Sequence, residues 1–207
     1  MKVLNLYAGI GGNRKLWKGV DVTAIEMNPK IAAIYQDFFP DDKVVVGDAH
    51  QYLLEHFAEY DFVWSSPPCP THSRFNLLSN VQEGKSVKYP EMALYQEILY
   101  LKHWYKGKWC VENVISYYEP LIRPHEINSH YFWSNFHISN IPNKKRGIRG
   151  QHKDYRETLL KQDGIDVDHY KITKQLKHKI LNNCVEPQTG LHILNESKRE
   201  VQPDMFK

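Results

Sequence analysis

The chain is poor in cysteine and has no long apolar run, and both absences narrow what it can be. Its three cysteines are an odd number without a CxxC spacing, which argues for a reducing compartment over a disulfide framework. No stretch approaches the roughly 20 apolar residues of a membrane span, and Met1 runs straight into an apolar segment with no signal-like region before it. A soluble, cytoplasmic protein with no membrane partner is expected. Neither the dinucleotide fingerprint G-x-G-x-x-G nor a phosphate loop is present, and there is no internal repeat or low-complexity tract. Charge of one sign is also lacking: 27 Lys and Arg stand against 24 acids, a formal +3, so global charge gives only slight attraction to a polyanion. With 207 residues, 42% of them hydrophobic, the chain can bury one good α/β core. We expect a single domain over 1–207, with a charged, loose end after Leu194.

What is present begins with Ser66-Pro67-Pro68-Cys69, directly after the apolar run 60–64. Two prolines fix φ and remove two backbone donors, so a stiff turn presents Cys69 in one direction at the end of a buried strand. A free cysteine of this kind is either a small buried apolar residue or a nucleophile, and its neighbours decide between the two. Residues 2–6 read as a strand running into Tyr7-Ala8-Gly9-Ile10-Gly11-Gly12, with a short helix expected over 13–18. Gly9, Gly11 and Gly12 allow positive φ and close backbone approach, as a turn or as a cofactor cradle. A second strand, 20–25, ends in Glu26, and a third, 43–46, ends in Gly47-Asp48. Acids at the carboxyl ends of strands sit on the edge where open α/β sheets bind ligands, and S-adenosylmethionine fits a glycine turn with two such acids and no pyrophosphate clamp. The same acids equally suit helix capping. A further strand over 108–111 leads into Glu112-Asn113-Val114, and apolar spacing over 91–105 predicts a core helix.

Taken in order, Tyr7-Ala8-Gly9-Ile10-Gly11-Gly12, Glu26, Gly47-Asp48, Pro68-Cys69-Pro70-x-x-Ser73, Glu112-Asn113-Val114 and Asn182-Asn183-Cys184-Val185-Glu186-Pro187 resemble the motifs of the DNA cytosine-5 methyltransferases, over nearly the whole chain. The resemblance implies a Rossmann-like S-adenosylmethionine-dependent methyltransferase fold, α/β, with a mostly parallel sheet and helices on both faces. It implies methyl transfer to carbon 5 of cytosine in DNA through a covalent Cys69 adduct. Carbon 5 is too poor a nucleophile to take a methyl group from a sulfonium unaided, so a thiolate must first add to carbon 6. Glu112 would stabilise the ring at nitrogen 3 and the exocyclic amine. By the same resemblance Tyr7, Gly9, Gly11, Gly12, Pro68 and Val185 line the cofactor site, Glu26 binds its ribose and Asp48 its adenine, Ser73 serves the nucleophile loop, and Asn113 orients that loop. No metal is implied.

The chain departs from the family in four places. Pro70 replaces the usual glutamine after the cysteine. Asn182 replaces a glycine, a tolerable change because Asn enters the left-handed region readily. The arginine-bearing strand that helps bind the target base reads Glu126-Ile127-Asn128-Ser129-His130 here, leaving His130 as the nearest substitute donor, with Arg123 competing. Where a target-recognition domain is usual, only the short insert 134–180 stands. Its basic loop Lys144, Lys145, Arg146 and Arg149, together with Arg74 and Asn76 of the polar loop 71–89, is expected to meet DNA, largely through phosphates. That polar loop should close over the substrate, and a duplex would have to flip its cytosine out. A monomeric, phage-like or orphan restriction-modification-type enzyme that reads a short site, with or without a recognition partner, is the leading reading. The alternatives are an exocyclic-amine DNA methyltransferase, whose motif needs an aromatic where Cys69 stands, and an inactive nucleic-acid-binding homologue.

Overall fold

The computed structural model describes residues 1–74, 77, 78, 82, 84, 86, 88–128, 130–141 and 160–199. Seven strands form one sheet: β1 (Lys2–Leu6), β2 (Asp21–Glu26), β3 (Lys43–Val46), β4 (Phe62–Ser65), β5 (Lys108–Val114), β6 (His125–Ile127) and β7 (His130–Ser134). Their order is β3-β2-β1-β4-β5-β7-β6. The first five run parallel, and β7 pairs antiparallel with both β5 and β6. This is the Rossmann-like methyltransferase arrangement that the motif order implied.

The alternation of side chains across the sheet sets the two layers. Leu4, Val63, Trp109, Val111 and Trp133 face one side, where they pack with Leu94, Ile98 and Leu101 of helix α3 (Ala93–Trp104) and with Leu53 of helix α2 (Ala49–His56). Val3, Phe62, Trp64, Cys110 and Phe132 face the other, against Ile193 and Leu194 of α5 (Pro187–Ser197). The strands therefore read as nearly continuous apolar runs, as strands covered on both faces must. Helix α1 (Pro29–Phe38) starts where sequence chemistry places it: Asn28 accepts from the amides of Lys30 and Ile31, and Pro29 occupies the first turn. Helix α4 (Lys174–Asn182), capped by Thr173, packs Ile180 and Leu181 with Ile10, Ile31 and Ile34.

Two local expectations are corrected. Residues 13–18 form successive turns, not a helix: the amides of Gly11, Arg14, Lys15 and Trp17 each bond three residues back. The stretch is bounded by Gly11 at φ +78° and Gly19 at φ +65°, both outside the helical region. Asn13 also turns its side chain inward, and its Nδ2 donates to buried Asn5 at 2.8 Å. Asn182 is the last residue of α4 and takes no left-handed conformation. Among the described non-glycine residues that region is occupied by Tyr7 (φ +54°) and by Asn128 (φ +49°), in the turn between β6 and β7. The expected core helix over 91–105 forms as α3, but Met92, Leu99 and Trp104 lie exposed.

Candidate active site

The strand order reverses at β1 and β4, and a cavity of about 600 Å³ opens at the carboxyl ends of the strands there. Its volume is that of a small-molecule site. One wall is the first turn. A side-chain carbon built on Gly9 (φ +56°) would meet nothing within 4 Å, so this backbone is open to a ligand. Gly12 is close to the returning chain instead: a carbon there would lie 2.1 Å from Cys184 Sγ and 2.5 Å from the Val185 carbonyl oxygen. Gly11 does not line the cavity; its missing side chain makes room for the rings of Phe39 and Tyr35. Gly9 and Gly12 thus line the cavity, Gly12 also being required by packing, and Gly11 serves packing alone.

Glu26 is held by its own surroundings. Oε2 accepts from the Gly9 amide at 3.0 Å and Oε1 from the Asn28 amide at 2.8 Å. A carboxylate has about four acceptor sites, so two remain for a vicinal diol in the cavity that Glu26 lines. Tyr7, Ala8, Met27, Pro29, Ile31, Ala49, Pro68 and Val185 supply most of the apolar wall. Asp48 departs from its expected role. Its Oδ1 accepts from the Gln51 amide as the cap of α2, and the cavity is walled by Gly47 and Ala49 on either side of it.

The second wall carries the chemistry. Cys69 lines the cavity and is half-buried, while Cys110 and Cys184 are buried. The turn that carries Cys69 is braced from several sides. The Cys69 carbonyl accepts from the amides of His72 (3.0 Å) and Ser73 (3.2 Å). Asn113 Nδ2 donates to the Pro67 carbonyl at 3.0 Å, and the Tyr118 hydroxyl meets His72 Nδ1 at 2.6 Å. Burial, and then the nearby Glu112 carboxylate, push the Cys69 thiol up to about 11. Glu112, buried in the middle of the sheet, lines the same cavity, and its Oε1 lies 3.8 Å from His130 Nε2. The pairing of Val114 with His130 across β5 and β7 produces this approach.

Cys69, Glu112, His130, Tyr7, Gly9, Gly12, Glu26, Pro68 and Val185 are therefore brought to one cavity. Ser73 does not line the cavity and forms an isolated backbone bridge with Ser116. Arg74 and Arg123 are exposed and away from the cavity wall. Asn76, Lys144, Lys145, Arg146 and Arg149 lie outside the described residues. Sequence reasoning missed Lys179, on the rim, and Glu97, a fully buried carboxylate of α3 behind Tyr7. A signal for Glu97 existed: it sits on the apolar face of α3 with Leu94, Ile98 and Leu101. Among the described residues no group of His, Cys, Asp and Glu is arranged to hold a metal ion, and no helix is long and apolar enough to cross a membrane.

A family model described as C-5 cytosine-specific DNA methylase matches residues 1–114, more than half of the chain. The chain belongs to that family. It is a methyltransferase, and the methyl donor of that family is S-adenosylmethionine. The cavity suits that donor: the open Gly9 backbone, the preset Glu26 carboxylate and the apolar walls accommodate a nucleoside with a charged tail. Among solved structures, the Entamoeba histolytica methyltransferase EhMeth matches 95% of this chain and 97% of its own at 9% identity, with a TM-score of 0.59, so the fold extends beyond the matched family region. A Spodoptera frugiperda DNMT2 mutant is 22% identical over 55% of this methylase, which spans 35% of that chain, at a TM-score of 0.39. SMU.776, solved in complex with SAH, is 17% identical over 54% of this chain and 30% of its own, at a TM-score of 0.38. No curated protein matches the sequence significantly.

Proposed function

We propose that this methylase transfers a methyl group to carbon 5 of cytosine in DNA through a covalent adduct on Cys69. The observation that carries the reading is that Cys69 and Glu112 wall the same cavity as the cofactor turn. Cys69, once deprotonated, adds to carbon 6 of the ring, and the electron pair of the 5,6 double bond moves to carbon 5. Glu112 takes up a proton as the base enters, donates it in a hydrogen bond to nitrogen 3 and accepts from the exocyclic amine, stabilising the negative charge that builds on the ring. The bound sulfonium supplies the methyl group to carbon 5. A base then takes the carbon 5 proton, the double bond re-forms, and Cys69 leaves as thiolate. In this reading His130, beside Glu112 on the cavity wall, donates to the cytosine carbonyl oxygen where relatives use arginine; its Nδ1 meets the Asn128 carbonyl at 3.2 Å, so the donating Nε2 carries the second proton of a charged ring. Exposed Arg123 does not line the cavity. Asn113, bonded to the Pro67 carbonyl, keeps the nucleophile turn aimed into the cavity.

A cavity opening at a sheet edge does not admit a base that is stacked in a duplex, so the cytosine enters flipped or from a single strand. The basic stretch 144–149 and Arg74 then serve phosphate contact, and the monomer reads a short sequence or relies on a partner for recognition. The decisive experiment incubates the protein and S-adenosylmethionine with oligonucleotides containing 5-fluorocytosine. Fluorine blocks elimination from carbon 5, so a denaturant-stable adduct at Cys69 is expected with DNA and none with Cys69→Ser. Methyl transfer without an adduct would favour exocyclic-amine chemistry. Adducts with 5-fluorocytidine RNA but not DNA would move the substrate away from DNA, and binding without transfer would mark an inactive homologue.

A further inference from the structure

Glu97 is an acid of helix α3 with no solvent exposure, and the chemistry above does not use it. Three groups converge on it. The Tyr7 hydroxyl donates to Oε1 at 2.5 Å, His50 Nδ1 meets the same oxygen at 3.0 Å, and the Ser65 hydroxyl donates to Oε2 at 2.6 Å. Tyr7 lines the cavity itself, and His50 and Ser65 each adjoin a residue that does, Ala49 and Ser66. Tyr7 opens the glycine turn after β1. His50 follows Gly47 and Ala49 in the first turn of α2, and Ser65 ends β4, four residues before Cys69.

The geometry at Tyr7 requires such an anchor. A tyrosine at φ +54° occupies the left-handed region at a cost of about 1–2 kcal/mol, and it stays there only when its surroundings over-determine it. The hydroxyl bond to a buried carboxylate provides that constraint at the far end of the side chain. It fixes the backbone that leads into Gly9, whose amide in turn positions Glu26. A buried carboxylate needs its hydrogen bonds met, and with three donors Glu97 has them only while the three turns hold their relative places.

We propose that Glu97 is the positioning residue of the cofactor site: through Tyr7, His50 and Ser65 it locks the turns after β1, β3 and β4 in register, so that cofactor affinity depends on a carboxylate that touches no ligand. The inference rests on S-adenosylmethionine binding and not on the identity of the methyl acceptor.

His50, the one partner on the surface side, makes the network sensitive to pH. Its hydrogen bond to Glu97 raises its proton affinity, with Asp48 and Glu91 adding to the effect and burial opposing it. The charged ring is thus favoured in the assembled site, and the network loses its cation as pH rises through the raised value. Tyr7, pushed upward by burial, Glu97, Asp48 and Glu91, stays a donor throughout.

The test is calorimetric binding of S-adenosylhomocysteine to the full chain, well below the melting temperature, for Tyr7→Phe, Glu97→Gln, the double variant and His50→Gln. Each of the first two should weaken binding about tenfold, the scale of one hydrogen bond to a charged group, and the double variant should be no weaker than the worse single one. Wild-type affinity should decline as pH rises from 6 to 8.5, and His50→Gln should flatten the profile. A merely structural Glu97 would lower the melting temperature and leave affinity and its pH profile unmoved, which overturns the proposal. Should Glu97→Gln fail to fold, unchanged affinity in Tyr7→Phe together with an unchanged profile in His50→Gln overturns it equally.

Discussion

Raising the pH tests whether Cys69, the proposed nucleophile, is held as a neutral thiol. Cys69 titrates at about 11 in place of the ordinary 9.0, so at pH 8 about one molecule in a thousand carries the thiolate, against about one in ten for an unperturbed thiol. The hundredfold deficit is partly recovered, because a more basic thiolate attacks faster: with a Brønsted slope near 0.4–0.5, two units return a factor of about eight. Alkylation by iodoacetamide at pH 8 should therefore be about tenfold slower than for an exposed cysteine, and the rate should keep climbing to about pH 11 instead of levelling near 9. Cys110 and Cys184 are buried, so mass spectrometry of the intact chain reads Cys69 alone. Glu112→Gln should lower the midpoint only in part, because burial is the larger cause and the carboxylate the second. The linkage has a definite sign. A thiol raised on folding favours the native state fully below its unfolded value, and that contribution is lost as pH rises from 9.0 towards 11. An alkylation midpoint at or below 8.5 would refute the reasoning, as would a Glu112→Gln variant that restores the ordinary value. Under the proposed mechanism, proton removal from Cys69 must accompany substrate entry.

Asn113→Ala, which releases the Pro67 carbonyl, should cost about 1–2 kcal/mol of stability and lower the rate of adduct formation while leaving S-adenosylhomocysteine affinity unchanged; affinity falling in step with rate would place Asn113 elsewhere. Gly190→Ala puts a carbon 2.2 Å from the Asn13 carbonyl oxygen and 2.6 Å from its Cα. Backbone cannot yield as a side chain does, so denaturant unfolding should show a loss of about 3 kcal/mol. Arg14 makes bonds of 2.8 and 2.9 Å to both oxygens of buried Asp42. Arg14→Met strands that charge and should cost about 3–5 kcal/mol, of which Asp42→Asn in the same background recovers part.

Strands β1 and β3 and the core of α3 were legible because their patterns are local: apolar runs bounded by glycine or acid, and a helical spacing of leucines and isoleucines. The caps were legible as one of two readings, and for Asp48 the capping alternative is what the backbone chose. The motif order carried the family and the fold. It carried less of the division of labour within each motif. The glycine turn reads as one cradle in sequence, yet Gly11 serves the rings of Phe39 and Tyr35, and Gly12 serves a segment some 170 residues away. Both depend on long-range packing that a run of glycines does not encode. The missing arginines left His130 and Arg123 as rivals, and only the pairing of β5 with β7 separates them. The helix expected over 13–18 failed because Asn13 turned to Asn5, a partner on another element.

By itself the sequence determined which reactive groups this methylase has and the order in which they leave the strands, because a stiff proline turn, a flexible glycine turn and strand-end acids are properties of short segments. Tertiary structure decided which of those groups share a cavity, what raises the Cys69 thiol, and that a helix acid far from every motif joins three turns. Burial and charge proximity are set by the whole packed sheet, and no short segment contains them.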